Sequence, residues 1–335
     1  MGELYLVTGA AGHLGSTVVD KLLKSGKHVR ILVLPGERNL PEGEMEVCYG
    51  DVCKQESLID FFANPQQEQL IVIHCAGIVS IASKYQQIVY DVNVTGTKNI
   101  TNLCLEYQVK KLIYVSSVHA IPEKAKGEVI SEVDHFNPQA VVGLYAKTKS
   151  EASAYVLQAA EKGLNLSIVH PSGICGPFDH GKGHLTTLVI DYFSGHLPVG
   201  VIGGYDFVDV RDVANGIVAC CEKGKPGECY ILSNRYYSVR EILGMLYQLT
   251  GIKEIKVYLP IGLILPIASL TEAYAKMRQH TPLFTAYSLY TLNSNAIFSH
   301  AKATAELGYI AREMRESLND TIDWLKLKQR IETKV

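Results

Sequence analysis

The segment Leu4-Tyr5-Leu6-Val7-Thr8-Gly9-Ala10-Ala11-Gly12-His13-Leu14-Gly15 limits what this protein can fold into more than any other. Glu3–Thr8 is a short apolar run with strand character, and Gly12–Ser25 carries helical spacing. Glycines between the two let the backbone turn tightly, and the following helix points free amides and its positive dipole end at the turn. Such a turn also occurs as a plain strand–helix link. Its place directly after a first strand and before a helix is the context that a dinucleotide-binding turn requires. Thr8, Gly9, Ala11, Gly12, His13, Leu14 and Gly15 are therefore candidate contacts for a pyrophosphate.

The alternation continues downstream. Strands are predicted at His28–Leu34, Glu46–Tyr49, Leu70–His74, Lys111–Ser116 and Leu166–His170, with helices at Gln55–Ala63, Lys84–Tyr107 and Leu144–Lys162. This order predicts an α/β fold, a Rossmann-type doubly wound parallel sheet. From Pro171 to Gly204 the sequence is rich in Gly, Pro and His and shows no long periodic element. Phe207–Cys221 and Glu228–Leu232 regain strand–helix–strand character, which suggests a return to the sheet. The expected organisation is a dinucleotide-binding domain over 1–170 plus about 205–235. A smaller, mainly helical substrate lobe takes about 171–204 plus 236–310, and a C-terminal amphipathic helix falls in 311–335.

Hydrophobic residues at 47% and charged residues at 20% allow a sizeable core, and a net charge of −2 gives no electrostatic case for nucleic acid. The eight cysteines form no Cys-x-x-Cys pair and no metal-ligand spacing, so small buried thiols in a reducing cytoplasm are expected. The first residues run directly into a strand, leaving no room for a secretion signal. The longest apolar stretch, Tyr258–Ala268, is broken by Pro260 and Pro266 and is too short to span a bilayer. It reads as a buried segment or pocket wall, with a peripheral membrane contact as the alternative.

Asp51 closes the third strand, where its carboxylate can accept from an adenine amino group or simply cap a loop, and Val52 follows it. Cys75, Ala76 and Gly77 end the fourth strand with small residues that admit a ribose or pyrophosphate. The second strand ends in Val33-Leu34-Pro35-Gly36-Glu37-Arg38 without an acid at the strand end. An acid there would hold a ribose 2′-hydroxyl, so its absence, with Arg38 as phosphate clamp, favours NADP(H) and leaves NAD(H) possible.

Tyr145 and Lys149 stand four apart in a helical segment and so share a face. A cation beside a phenol favours phenolate and is expected to lower a pKa normally about 10. Upstream, Lys111–Ser116 with Ser117 is a strand ending in two hydroxyls, and Asn93 lies in the helix beneath the same crevice.

These ordered motifs resemble an extended short-chain dehydrogenase/reductase of the NAD-dependent epimerase/dehydratase superfamily. The resemblance rests on the glycine turn, Asp51, Asn93-Val94-Thr95-Gly96-Thr97, Ser116-Ser117, Tyr145 with Lys149, and Phe207-Val208-Asp209-Val210-Arg211-Asp212-Val213-Ala214. The C-terminal half is similar to the 3β-hydroxysteroid dehydrogenase and dihydroflavonol 4-reductase branch through His280–Thr285, Tyr287–Leu292 and Phe298–Thr304. The resemblance implies that Ser117 bonds the substrate carbonyl, Tyr145 transfers the proton, Lys149 holds the nicotinamide ribose, and Asn93 supports a relay water. It also places Ser116, Pro171, Ser172 and Gly173 along the cofactor, and Val118 and His119 at the substrate. His170 stands where relatives often carry Arg. A homodimer through helices Lys84–Tyr107 and Leu144–Lys162 is likewise implied.

The expected activity is hydride transfer between NAD(P) and the carbonyl or secondary alcohol of a small hydrophobic ring substrate, steroid- or flavonoid-like. A nucleotide-sugar epimerase with tightly bound NAD is the alternative. His119 reads equally as a substrate contact or as a loop histidine without chemical role. The Asp179–His184 stretch, with Gly181 and Gly183, reads as a flexible lid, and no metal site is predicted.

Overall fold

The computed structural model describes residues 2–80, 85–181, 183–265 and 286–331. The end of the Tyr258–Ala268 stretch and the His280–Thr285 motif lie outside them, as does Lys84 at the head of an expected helix. In sequence order come β1 (Glu3–Thr8), α1 (His13–Lys24), β2 (His28–Val33), β3 (Glu46–Tyr49), α2 (Ile59–Phe62) and β4 (Gln69–His74). Next are α3 (Gln87–Tyr90), α4 (Thr97–Glu106), β5 (Lys111–Val115), α5 (Leu144–Glu161), β6 (Leu166–Pro171) and β7 (Gly173–Cys175). Then follow α6 (His184–Ser194), β8 (Gly200–Ile202), β9 (Gly204–Asp209), α7 (Val210–Lys223), β10 (Glu228–Leu232) and β11 (Arg235–Ser238). The last described are α8 (Val239–Thr250), β12 (Tyr258–Pro260), α9 (Ala286–Asn293), α10 (Ala301–Leu307) and α11 (Met314–Leu327).

Alternate side chains of the central strands enter two different cores. Leu4 and Leu6 of β1, Leu70 and Val72 of β4, and Leu112 and Tyr114 of β5 pack against α2, α4 and α5. Tyr5, Val7, Ile71, Ile73, Ile113 and Val115 point the other way, toward α1, α7 and α10. A strand buried on both faces must be apolar at consecutive positions, which is why these segments read as continuous runs. Each such side chain contributes roughly 1.5–3 kcal/mol on burial.

The main sheet has seven strands in the order β3-β2-β1-β4-β5-β6-β10, all parallel. The fold builds outward from β1 through β2 to β3, then returns to lay β4 on β1's other side. That reversal opens a crevice beyond the C-terminal ends of β1 and β4, where ligands bind in sheets of this kind.

Four expectations are corrected. Gln55–Ala63 is a 3₁₀ turn (Gln55–Leu58) followed by α2, and the expected long helix from 84 contains a π-helical segment, Asp91–Gly96, between α3 and α4. The stretch 171–204 contains β7 and α6; α6 is hidden in the sequence because glycines bracket it, Gly183 before it and left-handed Gly195 (φ 73°) after it. Finally, β9 does not join the main sheet but pairs with β7 and β11 in a small sheet, whereas β10 lies against β6. A third core fills the C-terminal lobe, where Leu185 and Val189 of α6 meet Ile242 and Leu246 of α8 and Leu318 and Ile322 of α11.

Candidate active site

At the switch point, backbone packs directly on backbone. Gly9 has φ 67°, and a Cβ there would sit 2.6 Å from the Ala76 nitrogen. A Cβ on Gly15 would collide with the Gly9 carbonyl, so α1 approaches β1 only without side chains at both positions. The first turn of α1 has no side-chain cap and no acid, which leaves its dipole end without a counter-charge from the helix itself. His13 ties the turn to the loop after β7, its Nε2 lying 2.8 Å from the Pro177 carbonyl.

Behind the turn runs a buried series of hydrogen bonds. The Ala76 amide donates to Thr8 Oγ1 (3.2 Å), which lies 2.7 Å from His74 Nδ1; His74 Nε2 lies 3.0 Å from Thr97 Oγ1, which donates to the Asn93 carbonyl (2.8 Å). A carbonyl only accepts, so the Thr97 hydrogen is committed to Asn93 and His74 donates from Nε2. Burial depresses the His74 pKa to about 3 and so keeps the ring neutral, which leaves Nδ1 to accept from the Thr8 hydroxyl.

Asn93 sits in the π-helical segment, a feature common at functional sites. Its amide oxygen accepts from the Ile78 nitrogen (2.8 Å), and its Nδ2 donates to the Ile78 carbonyl and to Thr148 Oγ1. Thr148 in turn donates to the Tyr145 carbonyl (2.8 Å). The group expected to support a water is thus occupied in fixing the backbone after β4 and the first turn of α5. A Cβ on Gly77 would lie 3.3 Å from both Asn93 Oδ1 and Lys149 Nζ, so the small residue keeps this floor open.

Lys149 Nζ donates to the Val115 carbonyl (2.9 Å) and lies 5.1 Å from the Tyr114 ring centroid, and burial lowers its pKa to about 8. Tyr145 is buried too, and burial raises its phenol to about 12 against the opposing pull of the Ser117 hydroxyl. This corrects the expectation of a lowered phenol. The Lys149 ammonium is engaged with Val115 and Tyr114, and desolvation of the Tyr145 phenolate dominates.

Ser116 bonds Ser153 (2.7 Å), which anchors β5 to α5. Ser117 caps the short turn Val118–Ala120, accepting from the His119 amide (3.3 Å), and its carbonyl accepts from His170 Nδ1 (3.0 Å). His170 is fully buried, stacks on Phe136 and has no partner at Nε2; burial lowers its pKa to about 4. In place of an Arg, a neutral imidazole thus fixes the backbone of Ser117.

Beyond Tyr145 opens a cleft of about 100 Å³, walled by Val118, His119, Ile130, Tyr205, Tyr287 and Phe298 among others. His119 packs its ring flat on Tyr205 (5.6 Å between centroids) and edge-on to Tyr145 (5.9 Å), and its Nε2 lies 3.0 Å from the Tyr205 hydroxyl. Burial lowers His119 to about 4, with His184 adding to the effect. Tyr205, Tyr287 and Phe298 are not among the expected site residues. The signal for them in the sequence is weak: Tyr205 and Tyr287 meet His119, and Phe298 meets Tyr205, only across long stretches of sequence.

The remaining expected residues are spread along the crevice. Asp51 Oδ1 accepts from the Cys53 amide (2.9 Å), and Val52 packs where Gly96 has no side chain. Cys75 and Ala76 form the backbone under Gly9. Leu34 and Arg38 are exposed, and Glu37 commits its carboxylate to the amides of Arg38 and Asn39. Pro171 ends β6, Ser172 donates to buried Asp206 (2.5 Å), and Gly173 packs against Phe207 of β9. At the expected lid, Gly183 donates to Asp179, His180 stands edge-on to Trp324 (5.2 Å), and His184 opens α6, a helix rather than a loop. Among the described residues no group of three or more metal-ligating side chains comes together.

The sequence profile of the NAD dependent epimerase/dehydratase family matches residues 5–233. Sterol demethylase protein B of Methylococcus capsulatus is 30% identical over 328 residues, 96% of this protein and 98% of its own length. The Arabidopsis thaliana 3beta-hydroxysteroid-dehydrogenase/decarboxylase isoform 1 is 27% identical, with 95% and 78% covered. The crystal structure of gox2253 matches with a TM-score of 0.84 at 32% identity, covering 98% of this protein and 99% of that one. A match that runs from β1 to the end of β10, over a parallel sheet with this switch point, shows that the protein belongs to the NAD dependent epimerase/dehydratase family of extended short-chain dehydrogenase/reductases.

Proposed function

We propose that this protein is an NAD(P)-dependent oxidoreductase acting on the carbonyl or secondary alcohol of a small apolar ring substrate, steroid- or flavonoid-like. One observation carries the choice: among the described residues of the cleft beside Tyr145 there is no Lys or Arg, and the charged one is Glu123. A nucleotide sugar brings a diphosphate, which calls for cations, whereas an apolar ring suits stacked aromatic walls. The names of the sterol and hydroxysteroid relatives support this reading. The family name keeps an epimerase as the second reading.

A dinucleotide fits the residues present, because the side-chain-free contacts at Gly9 and Gly15 and the uncapped start of α1 form a cradle for a pyrophosphate. When bound, the nicotinamide supplies or accepts the hydride. On the protein side, the Ser117 and Tyr145 hydroxyls polarise the substrate oxygen, and Tyr145 gives its proton to the developing alkoxide in reduction. A phenol held near 12 is fully protonated at neutral pH, which suits the acid role. Lys149 places a positive charge on the floor of the site, where it steadies the phenolate left behind.

Exposed Arg38 and the missing acid at the end of β2 support NADP(H), with NAD(H) as the alternative. Free thiols at all eight cysteines support a cytoplasmic setting, and exposed Tyr85 and Ile88, just before and in α3, support a homodimer through the helical stretch from α3 to α4 together with α5. No helix among the described residues is long and apolar enough to cross a membrane. A panel of cyclic ketones, steroids and nucleotide sugars, run with NADPH and NADH in parallel, tests the proposal. Turnover of ring ketones supports it; inactivity on them beside conversion of a nucleotide sugar overturns it.

A further inference from the structure

A second cavity of about 80 Å³ lies in the C-terminal lobe, walled by Leu185 and Leu188 of α6, Val201 of β8, Phe207 of β9, Leu243 of α8 and Leu292 of α9. Apart from His184, every described wall residue is apolar or glycine. Open apolar space costs stability because its lining atoms lack contact partners, and such space takes up apolar matter rather than water.

Three features join this cavity to the catalytic cleft. Tyr205 and Phe207 stand two apart on β9 and so share a face, their rings 6.0 Å apart; the first lines the cleft and the second the cavity. On α9, Tyr287 and Thr291 face the cleft while Leu292 faces the cavity. His184, at the cavity, lies near enough to His119, in the cleft, to disfavour its cationic form.

We infer that the cavity is the second compartment of one substrate site and takes the hydrocarbon end of a molecule whose oxygen is held at Ser117 and Tyr145. This rests on the oxidoreductase reading and narrows its substrate. The molecule is elongated, polar at one end, and carries a hydrocarbon body longer than a single ring.

The test is a series of 4-alkylcyclohexanones, from methyl to octyl, offered to the full-length protein with NADPH bound. Calorimetry reads affinity and steady-state kinetics read kcat/KM. Affinity is expected to rise about fourfold per added methylene and then level off when the compartment is full. Leu188→Trp, which fills the cavity, is expected to abolish that gain. Leu188→Ala is expected to move the levelling point to longer alkyl groups, an opposite shift that a folding defect does not produce. Affinity indifferent to alkyl length, or a gain unchanged in both variants, overturns the inference. A length-dependent gain in binding without turnover keeps the compartment and refutes the ketone chemistry. Equal turnover at every length, without a gain in affinity, refutes the compartment alone.

Discussion

The dinucleotide side of the site and the substrate side are assembled differently. On the first, backbone meets backbone: Gly9 and Gly15 are bare because Ala76 and Gly9 itself fill the space a side chain would need. On the second, side chains make the surface, with His119, Tyr205, Tyr287 and Phe298 arriving from four separate segments. A wall of backbone tolerates almost no substitution and so holds one kind of ligand. A wall of side chains is recut without disturbing the sheet, which lets a common cofactor site serve different substrates.

Tyr145, where the two sides meet, is expected to show the largest effect. Tyr145→Phe should lower kcat roughly 10²–10⁴-fold while leaving cofactor affinity intact, and near-wild-type turnover would remove Tyr145 from the chemistry. Next, Gly9→Ala should cost about 1–3 kcal/mol in denaturant unfolding and weaken NADPH binding, since the new methyl meets backbone and the residue is left-handed. An unfolding midpoint equal to wild type would break the claim that this side is backbone-limited.

The pH profile separates the two reaction directions. Alcohol oxidation needs the Tyr145 phenolate, whose fraction grows with pH because the phenol sits near 12. Its rate should therefore climb, by up to about tenfold per unit, until Lys149 loses its charge near 8 and the rise flattens. Ketone reduction uses the protonated phenol and should be nearly flat below that point. Initial rates in both directions between pH 6 and 9 check this, and parallel profiles would contradict it.

His170→Leu is expected to cost about 1–3 kcal/mol in stability, because the buried Ser117 carbonyl loses its donor. kcat should fall in the same variant with cofactor affinity unchanged, and His170→Asn should restore part of it by supplying a donor again. On the aromatic side, Tyr205→Phe should cost only about 0.5–1.5 kcal/mol. It should alter substrate KM and leave NADPH binding alone, since it removes the hydroxyl next to His119 and keeps the ring.

The same contrast explains what is legible in the sequence. The glycine turn, the strands and the serines at the end of β5 are legible because each is a local pattern set by backbone geometry. Ser117 lies close enough to Tyr145 for its hydroxyl to oppose the rise of the phenol. The aromatic wall is not legible: whether Tyr205 faces the cleft depends on β9 pairing with β7 and β11, a long-range choice that the residues near Tyr205 do not announce. Helix α6 is obscured for a local reason, since its flanking glycines signal a loop at both ends. His74 is inconspicuous beside small neighbours, although a lone polar group closing an apolar strand is itself a sign of a buried partner.

The buried hydrogen-bond series through His74 also has a direction. It starts at the backbone amide of Ala76 and ends at the backbone carbonyl of Asn93, and each hydroxyl between them has a single hydrogen to give. Every hydrogen therefore has one place, and the series does not run backwards. It works as a strut rather than a conduit: it fixes the distance from the glycine turn to the π-helical segment and carries no proton between them.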